Sequence, residues 1–122
     1  RHGATTIWEN WSGPFNTKGA GAGSLNHYSK GAVCRWLFDT MCGIRMDGEN
    51  RFDIAPRPGG SLTHAQAAYE SIYGKVESKW VKTDEGFTFT VTVPANCEAT
   101  ILLPDGSKYT QAPGTQIYQI KI

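Results

Sequence analysis

Residues 5–11, with the sequence TTIWENW, carry the densest group of chemically useful side chains in the chain. Glu9 follows Trp8 directly and precedes Trp11 by two positions, so that one carboxylate lies between two indole rings. Sugars present apolar C–H faces that pack on aromatic rings, and their hydroxyl groups need polar partners, so this combination is typical of a carbohydrate site. Apolar neighbours raise the pKa of a carboxyl group, which suits general acid or base catalysis. Composition alone favours the alternative of two core tryptophans with a solvated glutamate between them.

A second polar pair, Asn26 and His27, lies where a glycine-rich segment meets a segment of periodic apolar residues. An imidazole at this place can hydrogen-bond a sugar hydroxyl whether it is neutral or charged. The alternative is a capping pair at a helix N-terminus without a ligand, and the spacing alone favours it. The three cysteines have no metal-ligand spacing, and we expect neither a metal ion nor a cofactor.

The elements that must position these residues begin with a predicted loop over residues 13–24, where glycines and a proline oppose both helix and strand. A helix is predicted over residues 28–43, because apolar residues recur there every three or four positions: Val33, Leu37, Met41 and then Ile44. Ser24 or Asn26 can cap the start of this helix, and Gly43 fits the left-handed position after its end. One helix and its loop have too little apolar partner surface to stand alone, so they dock on a sheet or have lost their neighbours.

The chain after about residue 50 has the pattern of short strands separated by turns. Residues 86–94 alternate apolar side chains with threonines, which predicts a strand with one buried face. Further strands are predicted at residues 52–55, 61–71, 74–82, 99–103 and 116–122. A turn is predicted at residues 104–106, which have the sequence Pro-Asp-Gly. The fold class is therefore mainly β, an antiparallel sandwich or barrel preceded by a loop and a helix.

Composition limits the partners and the compartment. The chain of 122 residues has 12 basic and 11 acidic side chains, so the clustered positive charge that nucleic acid or an anionic membrane requires is not expected. No apolar run approaches the roughly 20 residues that span a bilayer. Cys34 and Cys42 are too far apart to bridge if they share a helix, and three buried thiols, with Cys97, favour a cytoplasmic over a secreted protein. The chain begins with Arg1 rather than Met, so a signal peptide could have been present upstream.

Three motifs in order resemble the C-terminal third of the bacterial-type α-L-rhamnosidases: GATTIWENW, SLNHYSKGAVCRWLFDTMCGI and FDIAPRPGGSLTHAQAAYESIYGKVESKW. The resemblance runs from residue 3 to about residue 104. It implies part of an inverting glycosidase that removes terminal α-L-rhamnose from rhamnose-containing glycosides or polysaccharides. It also implies that residues 1–50 are the last loop and helix of an (α/α)6 catalytic barrel and that residues 51–122 form a C-terminal β-sandwich.

The resemblance further implies roles for individual residues. Glu9 has the position of the family's general base, which activates water on the face of the sugar opposite the leaving group. His27 has the position of a histidine near the bound rhamnose, and Trp8 and Trp11 would shape the site. The general acid and most of the sugar cradle belong to upstream barrel segments, so we expect this chain to be inactive alone and to have that barrel as its partner.

We expect the sandwich to act mainly as a structural support for the barrel. The alternative is a stand-alone carbohydrate-binding module, with four aromatic residues on strands as candidates: Trp80, Tyr69, Tyr73 and Tyr109. Half of the side chains on such strands must face inward, which argues against this reading. An unrelated adhesin-like or immunoglobulin-like module would explain the strands but leaves the first two motifs without a reason.

Overall fold

A computed structural model describes residues 3–15 and 23–121 and divides the chain into two compact units, Arg1–Trp36 and Leu37–Ile122. The first unit contains a short 3-10 helix, Gly13–Phe15, and the helix α1, Tyr28–Trp36. The second unit begins with a π-helical turn, Leu37–Cys42. Eight strands follow in the described part of that unit: β1 Ile44–Met46, β2 Arg51–Ile54, β3 His64–Ser71, β4 Gly74–Thr83, β5 Gly86–Val93, β6 Glu98–Leu102, β7 Lys108–Gln111 and β8 Gly114–Lys121.

The strands form two four-stranded sheets, one in the order β1-β2-β6-β7 and the other in the order β3-β4-β5-β8. Neighbouring strands are antiparallel except β2 and β6, which run parallel and place Phe52 opposite Ala99. The predicted β-sandwich is therefore confirmed, although its first sheet is mixed. All six predicted strands are present, and the pattern missed β1 and β7.

The core of the sandwich follows the period-two pattern of its strands. Phe89, Val91 and Val93 of β5 are buried, whereas the threonines between them are half-buried on the outer face. The antiparallel register places Trp80 of β4 opposite Phe89, and both are fully buried. Burial of each large apolar side chain contributes about 1.5–3 kcal/mol to folding. The alternation read from the sequence thus identified the buried face of β5 correctly.

A buried polar side chain, Gln111 of β7, connects the two sheets. Its amide group donates to the carbonyl oxygen of Val91 in β5 at 3.0 Å and to that of Gly114 at 2.9 Å. The Tyr118 hydroxyl donates to the Gln111 amide oxygen at 3.1 Å, and burial raises the pKa of Tyr118. Because a buried amide is costly unless its donors and acceptor are paired, these bonds are what allow Gln111 to lie in the core.

The predicted helix over residues 28–43 is present as α1 followed by the π-helical turn. Its end is as expected, because Gly43 has φ 71° and a Cβ atom there would lie 2.1 Å from the carbonyl carbon of Ala55. Its start is not capped as expected. His27 immediately precedes α1, and its carbonyl oxygen accepts the Lys30 amide at 3.2 Å, so neither predicted cap residue occupies the capping position.

None of the residues of α1 is buried, and Val33 is 55% exposed, which fits the alternative that this helix has lost its neighbours. Cys34 is also exposed, so the expectation of three buried thiols holds only for Cys42 and Cys97, and all three are free. Residues 16–22, the centre of the predicted loop, lie outside the described residues. Within the residues that the structure describes, no helix is long and apolar enough to cross a membrane.

Candidate functional site

Two segments that the sequence analysis singled out separately lie side by side in the first unit. The main-chain N–H of Glu9 donates to the carbonyl oxygen of Ser24 at 2.8 Å. The main-chain N–H of His27 donates to the carbonyl oxygen of Ile7 at 2.7 Å. The segments therefore run antiparallel, and main-chain bonds bring the Glu9 motif beside the His27 motif.

The Glu9 carboxylate is exposed to solvent but fixed in direction. Its Oε2 atom accepts the main-chain N–H of Ser24 at 2.7 Å. Gly23 leaves room for this arrangement, because a Cβ atom there would lie 2.9 Å from Oε2 of Glu9. Gly23 also has φ 66°, a conformation that glycine adopts without strain. A carboxylate that is both accessible and oriented can accept a proton from a bound molecule.

Lys30, in the first turn of α1, reaches back to the same segment. Its ammonium group donates to the carbonyl oxygen of Trp8 at 3.3 Å and to the carbonyl oxygen of Glu9. Ser24 and Lys30 therefore hold Glu9 at its main-chain N–H, its carboxylate and its carbonyl group.

An open groove of about 770 Å³ lies beside this segment, and its lining includes Trp8, Asn10, Trp11 and Lys30. Trp8 is half-buried with its ring centroid 6.5 Å from that of Phe15, whereas Trp11 is 98% exposed. The interpretation of both tryptophans as core residues is therefore wrong for Trp11. An exposed indole on the rim of a groove is available to an apolar sugar face.

The four predicted site residues do not share one pocket in the described part of the chain. Glu9 and His27 are not among the residues that line the groove. The half-buried His27 ring packs edge-on against the ring of Tyr28, with centroids 6.2 Å apart. Among the described residues, no group of three or more histidine, cysteine, aspartate or glutamate side chains could hold a metal ion.

The four aromatic candidates of the sandwich differ in their exposure to solvent. Trp80 is 0% exposed, and its indole N–H donates to the carbonyl oxygen of Met41 at 2.9 Å. Tyr73 packs against the core, and the ring of Tyr109 lies 4.9 Å from that of Tyr118. Tyr69 lies opposite the buried Val76 in the register of β3 and β4 and is 45% exposed. Trp80, one of the candidates of the binding-module alternative, is therefore not accessible to a sugar.

Sequence reasoning missed a set of donors around the end of the π-helical turn. Five consecutive carbonyl oxygens, those of residues 39–43, each accept a hydrogen bond from elsewhere in the second unit. The donors, in the order of the carbonyls, are the Arg45 guanidinium (3.5 Å), the Arg57 amide (3.0 Å), the Trp80 indole (2.9 Å), the Ser78 hydroxyl (2.7 Å) and the Ala55 amide (3.0 Å). The last carbonyl groups of a helix have no partners within it, so the sandwich supplies them here.

Two family models match different parts of the chain. The family model described as the bacterial alpha-L-rhamnosidase 6 hairpin glycosidase domain matches residues 1–41. The model described as the bacterial alpha-L-rhamnosidase C-terminal domain matches residues 46–117. An alpha-L-rhamnosidase from Streptomyces avermitilis is 37% identical in an alignment 109 residues long, which covers 84% of this chain and 10% of that protein.

Two solved structures have the same architecture. The alpha-L-rhamnosidase from Dictyoglumus thermophilum superposes with a TM-score of 0.79 at 26% identity, covering 98% of this chain and 16% of that one. The Streptomyces avermitilis alpha-L-rhamnosidase complexed with L-rhamnose gives a TM-score of 0.75 at 27% identity, covering 97% of this chain and 14% of that one. The chain spans about a tenth of the length of the curated relatives it matches.

Proposed function

Because this chain belongs to the bacterial α-L-rhamnosidase family, we propose that it is the C-terminal part of an enzyme that removes terminal α-L-rhamnose from rhamnose-containing glycosides. We assign residues 1–50 to the end of the catalytic barrel and residues 51–122 to the C-terminal sandwich. The strand Ile44–Met46 already pairs with β2, so the sheet itself begins within the first of these segments.

The observation that carries the catalytic part of the proposal is the oriented, exposed carboxylate of Glu9. We assign to Glu9 the role of general base in an inverting reaction. Glu9 takes a proton from a water molecule that attacks the anomeric carbon on the face opposite the leaving oxygen, and an acid from the upstream barrel protonates that oxygen. The two carboxyl groups of an inverting pair stand about 6.5–9.5 Å apart, which leaves room for the water.

The other predicted residues have supporting roles in this proposal. His27 contacts a rhamnose hydroxyl, since its segment is bonded to the segment that carries Glu9. Trp8 and Trp11 shape the site through the groove that they line. The sugar must meet the missing acid as well as Glu9, so these residues act only when the upstream barrel is present.

We infer that the sandwich has a structural role. The hydrogen bonds that the carbonyl oxygens of residues 39–43 accept support this inference. Five donors from three separate places in the second unit fix the turn that follows α1 in sequence. The buried position of Trp80 removes the principal candidate for independent sugar binding. The sandwich thus stabilises the barrel by completing the end of its last helix.

A chimera tests the catalytic proposal. Residues 1–122 replace the matching segment of the Streptomyces avermitilis protein, which supplies the missing barrel, and hydrolysis of p-nitrophenyl α-L-rhamnoside is measured. Glu9→Ala is expected to lower kcat by about 100- to 10,000-fold, the usual contribution of a general base. Glu85→Ala, which removes an exposed carboxylate from the β4–β5 turn, is the matched control and leaves kcat unchanged.

Azide gives the test a second measurement. Azide needs no deprotonation, so it restores turnover of the Glu9→Ala chimera by forming a C–N bond at the anomeric carbon as p-nitrophenolate leaves. The product is β-L-rhamnosyl azide, identified by NMR. A Glu9→Ala chimera with unchanged kcat, or an α-configured product, contradicts the proposed role. The 122-residue chain alone is expected to show no hydrolysis.

A further inference from the structure

We infer that Lys30 is a positioning residue for Glu9. It holds Glu9 through the main-chain carbonyl groups of Trp8 and Glu9 rather than through the carboxylate. The inference rests on the proposed role of Glu9 as general base. Lys30 belongs to α1 and is not among the site residues that the sequence predicted. The inference gives this side chain an effect on catalysis.

The placement of Lys30 is electrostatically unusual. It lies in the first turn of α1, where the helix dipole favours negative charge, and no acidic residue accompanies it there. A cation at this end of a helix is disfavoured by the dipole. A lysine on an exposed helix surface is free to extend into water, but Lys30 instead bonds the carbonyl oxygens of Trp8 and Glu9. Charge-assisted bonds to two carbonyl oxygens offset the unfavourable dipole.

The two carbonyl groups are the ones that control the direction of the Glu9 side chain. The chain bends at Glu9, and the carbonyl oxygens of Trp8 and Glu9 are both within reach of one ammonium group, which has three donors. Lys30 therefore fixes the peptide planes on both sides of the Glu9 Cα atom. The Ser24 amide fixes the far end of the same residue at Oε2. With both ends held, the carboxylate has one direction rather than a range of directions.

Among the described residues, loss of the Lys30 bonds would leave Glu9 with its two bonds to Ser24. The peptide groups around Glu9 could then rotate, and the carboxylate would move with them. A displacement of about 1 Å at a reacting group can lower the rate by about 100-fold. Because the base acts on water rather than on the sugar, substrate binding should change much less than turnover.

The chimera described above allows the inference to be tested. Lys30→Met keeps most of the side-chain length and removes the donors, and it is expected to lower kcat by roughly 10- to 100-fold with KM within about twofold. Lys30→Arg, which keeps charge and donors, is expected to retain kcat within about fivefold. Lys108→Met, at an exposed lysine of β7, is the matched control and leaves both constants unchanged.

A mutant cycle separates positioning from general support. In the Glu9→Ala chimera rescued by azide no base is needed, so the additional Lys30→Met change is expected to leave the azide-dependent rate unchanged. If it lowers that rate by the same factor as in the parent chimera, Lys30 supports the site as a whole and the inference is wrong. Loss of folded protein in Lys30→Met, measured by its melting temperature, would likewise overturn it in favour of a structural role.

The outcomes also distinguish this inference from the proposal on which it rests. A Glu9→Ala chimera with normal kcat refutes the role of Glu9 and, with it, that of Lys30. A large loss in Glu9→Ala together with normal kcat in Lys30→Met refutes only the role of Lys30.

Discussion

Replacement of Ser78 by alanine should lower the free energy of unfolding of the second unit by about 1–3 kcal/mol. The Ser78 side chain is 1% exposed, and its hydroxyl donates to the carbonyl oxygen of the buried Cys42 at 2.7 Å. Alanine removes this donor at a place that water does not reach, so the carbonyl oxygen of Cys42 is left without a hydrogen bond. The lost volume is only one oxygen atom, so the missing hydrogen bond accounts for most of the effect. In a domain of 60–100 residues, each 1 kcal/mol shifts the melting temperature by about 4–8 °C, so a decrease of roughly 5–20 °C is expected.

The assay uses a fragment of residues 37–122, in which Trp80 is the sole tryptophan and its fluorescence follows unfolding in urea. A second fragment starts at Gly43 and lacks the acceptor carbonyl group. In that shorter fragment Ser78→Ala should change the free energy of unfolding by less than about 0.5 kcal/mol. Equal losses in the two fragments would show that the hydroxyl does not act through the helical turn, and the reasoning would be refuted.

Three further predictions concern the segment that carries Glu9 and the thiols. Gly23→Ala should lower kcat of the chimera about tenfold by displacing the carboxylate that lies 2.9 Å from the new Cβ atom, whereas Gly60→Ala, at φ 63° in open space, should not. Equal kcat losses would contradict this explanation. Iodoacetamide at pH 8 should label exposed Cys34 at least about ten times faster than buried Cys42, as measured by peptide mass spectrometry. Burial raises the pKa of the Cys42 thiol above its ordinary value of 9.0, so the unfolded state releases the proton first. The free energy of unfolding should therefore fall as the pH rises above about 9, and Cys42→Ala should reduce that fall.

The fold was predictable where a local pattern determines burial. In β5, threonines alternate with Phe89, Val91 and Val93, so the buried face can be read from the residues alone. The strand β7, Lys108–Gln111, has no such alternation, because its fully buried side chain is the amide of Gln111. That amide is tolerated only through partners in other strands, which no local pattern shows. The parallel pairing of β2 with β6 also depends on distant packing.

The candidate site was predictable in its residue types and not in its geometry. The motif around Glu9 identified a carboxylate between indoles, but the main-chain N–H that orients it comes from Ser24, 15 residues away. The contact from Lys30 spans 21 residues and joins a side chain to a carbonyl group, so it leaves no trace in residue spacing. The sequence offered Ser24 and the pair Asn26 and His27 as capping residues, and propensity, which favours Ser24 or Asn26, did not single out His27.

The hydrogen bonds to the carbonyl groups of residues 39–43 also have an order of formation while the chain is being synthesised. The bonds from Ser78 to Cys42 and from Trp80 to Met41 span 36 and 39 residues, so each acceptor is synthesised well before its donor. At about 5–20 residues per second, the helical turn waits roughly 2–8 s for these partners, with its carbonyl groups bound to water meanwhile. A polypeptide that stops before residue 78 has neither donor. The turn therefore acquires these two hydrogen bonds only in a chain whose translation has passed this point.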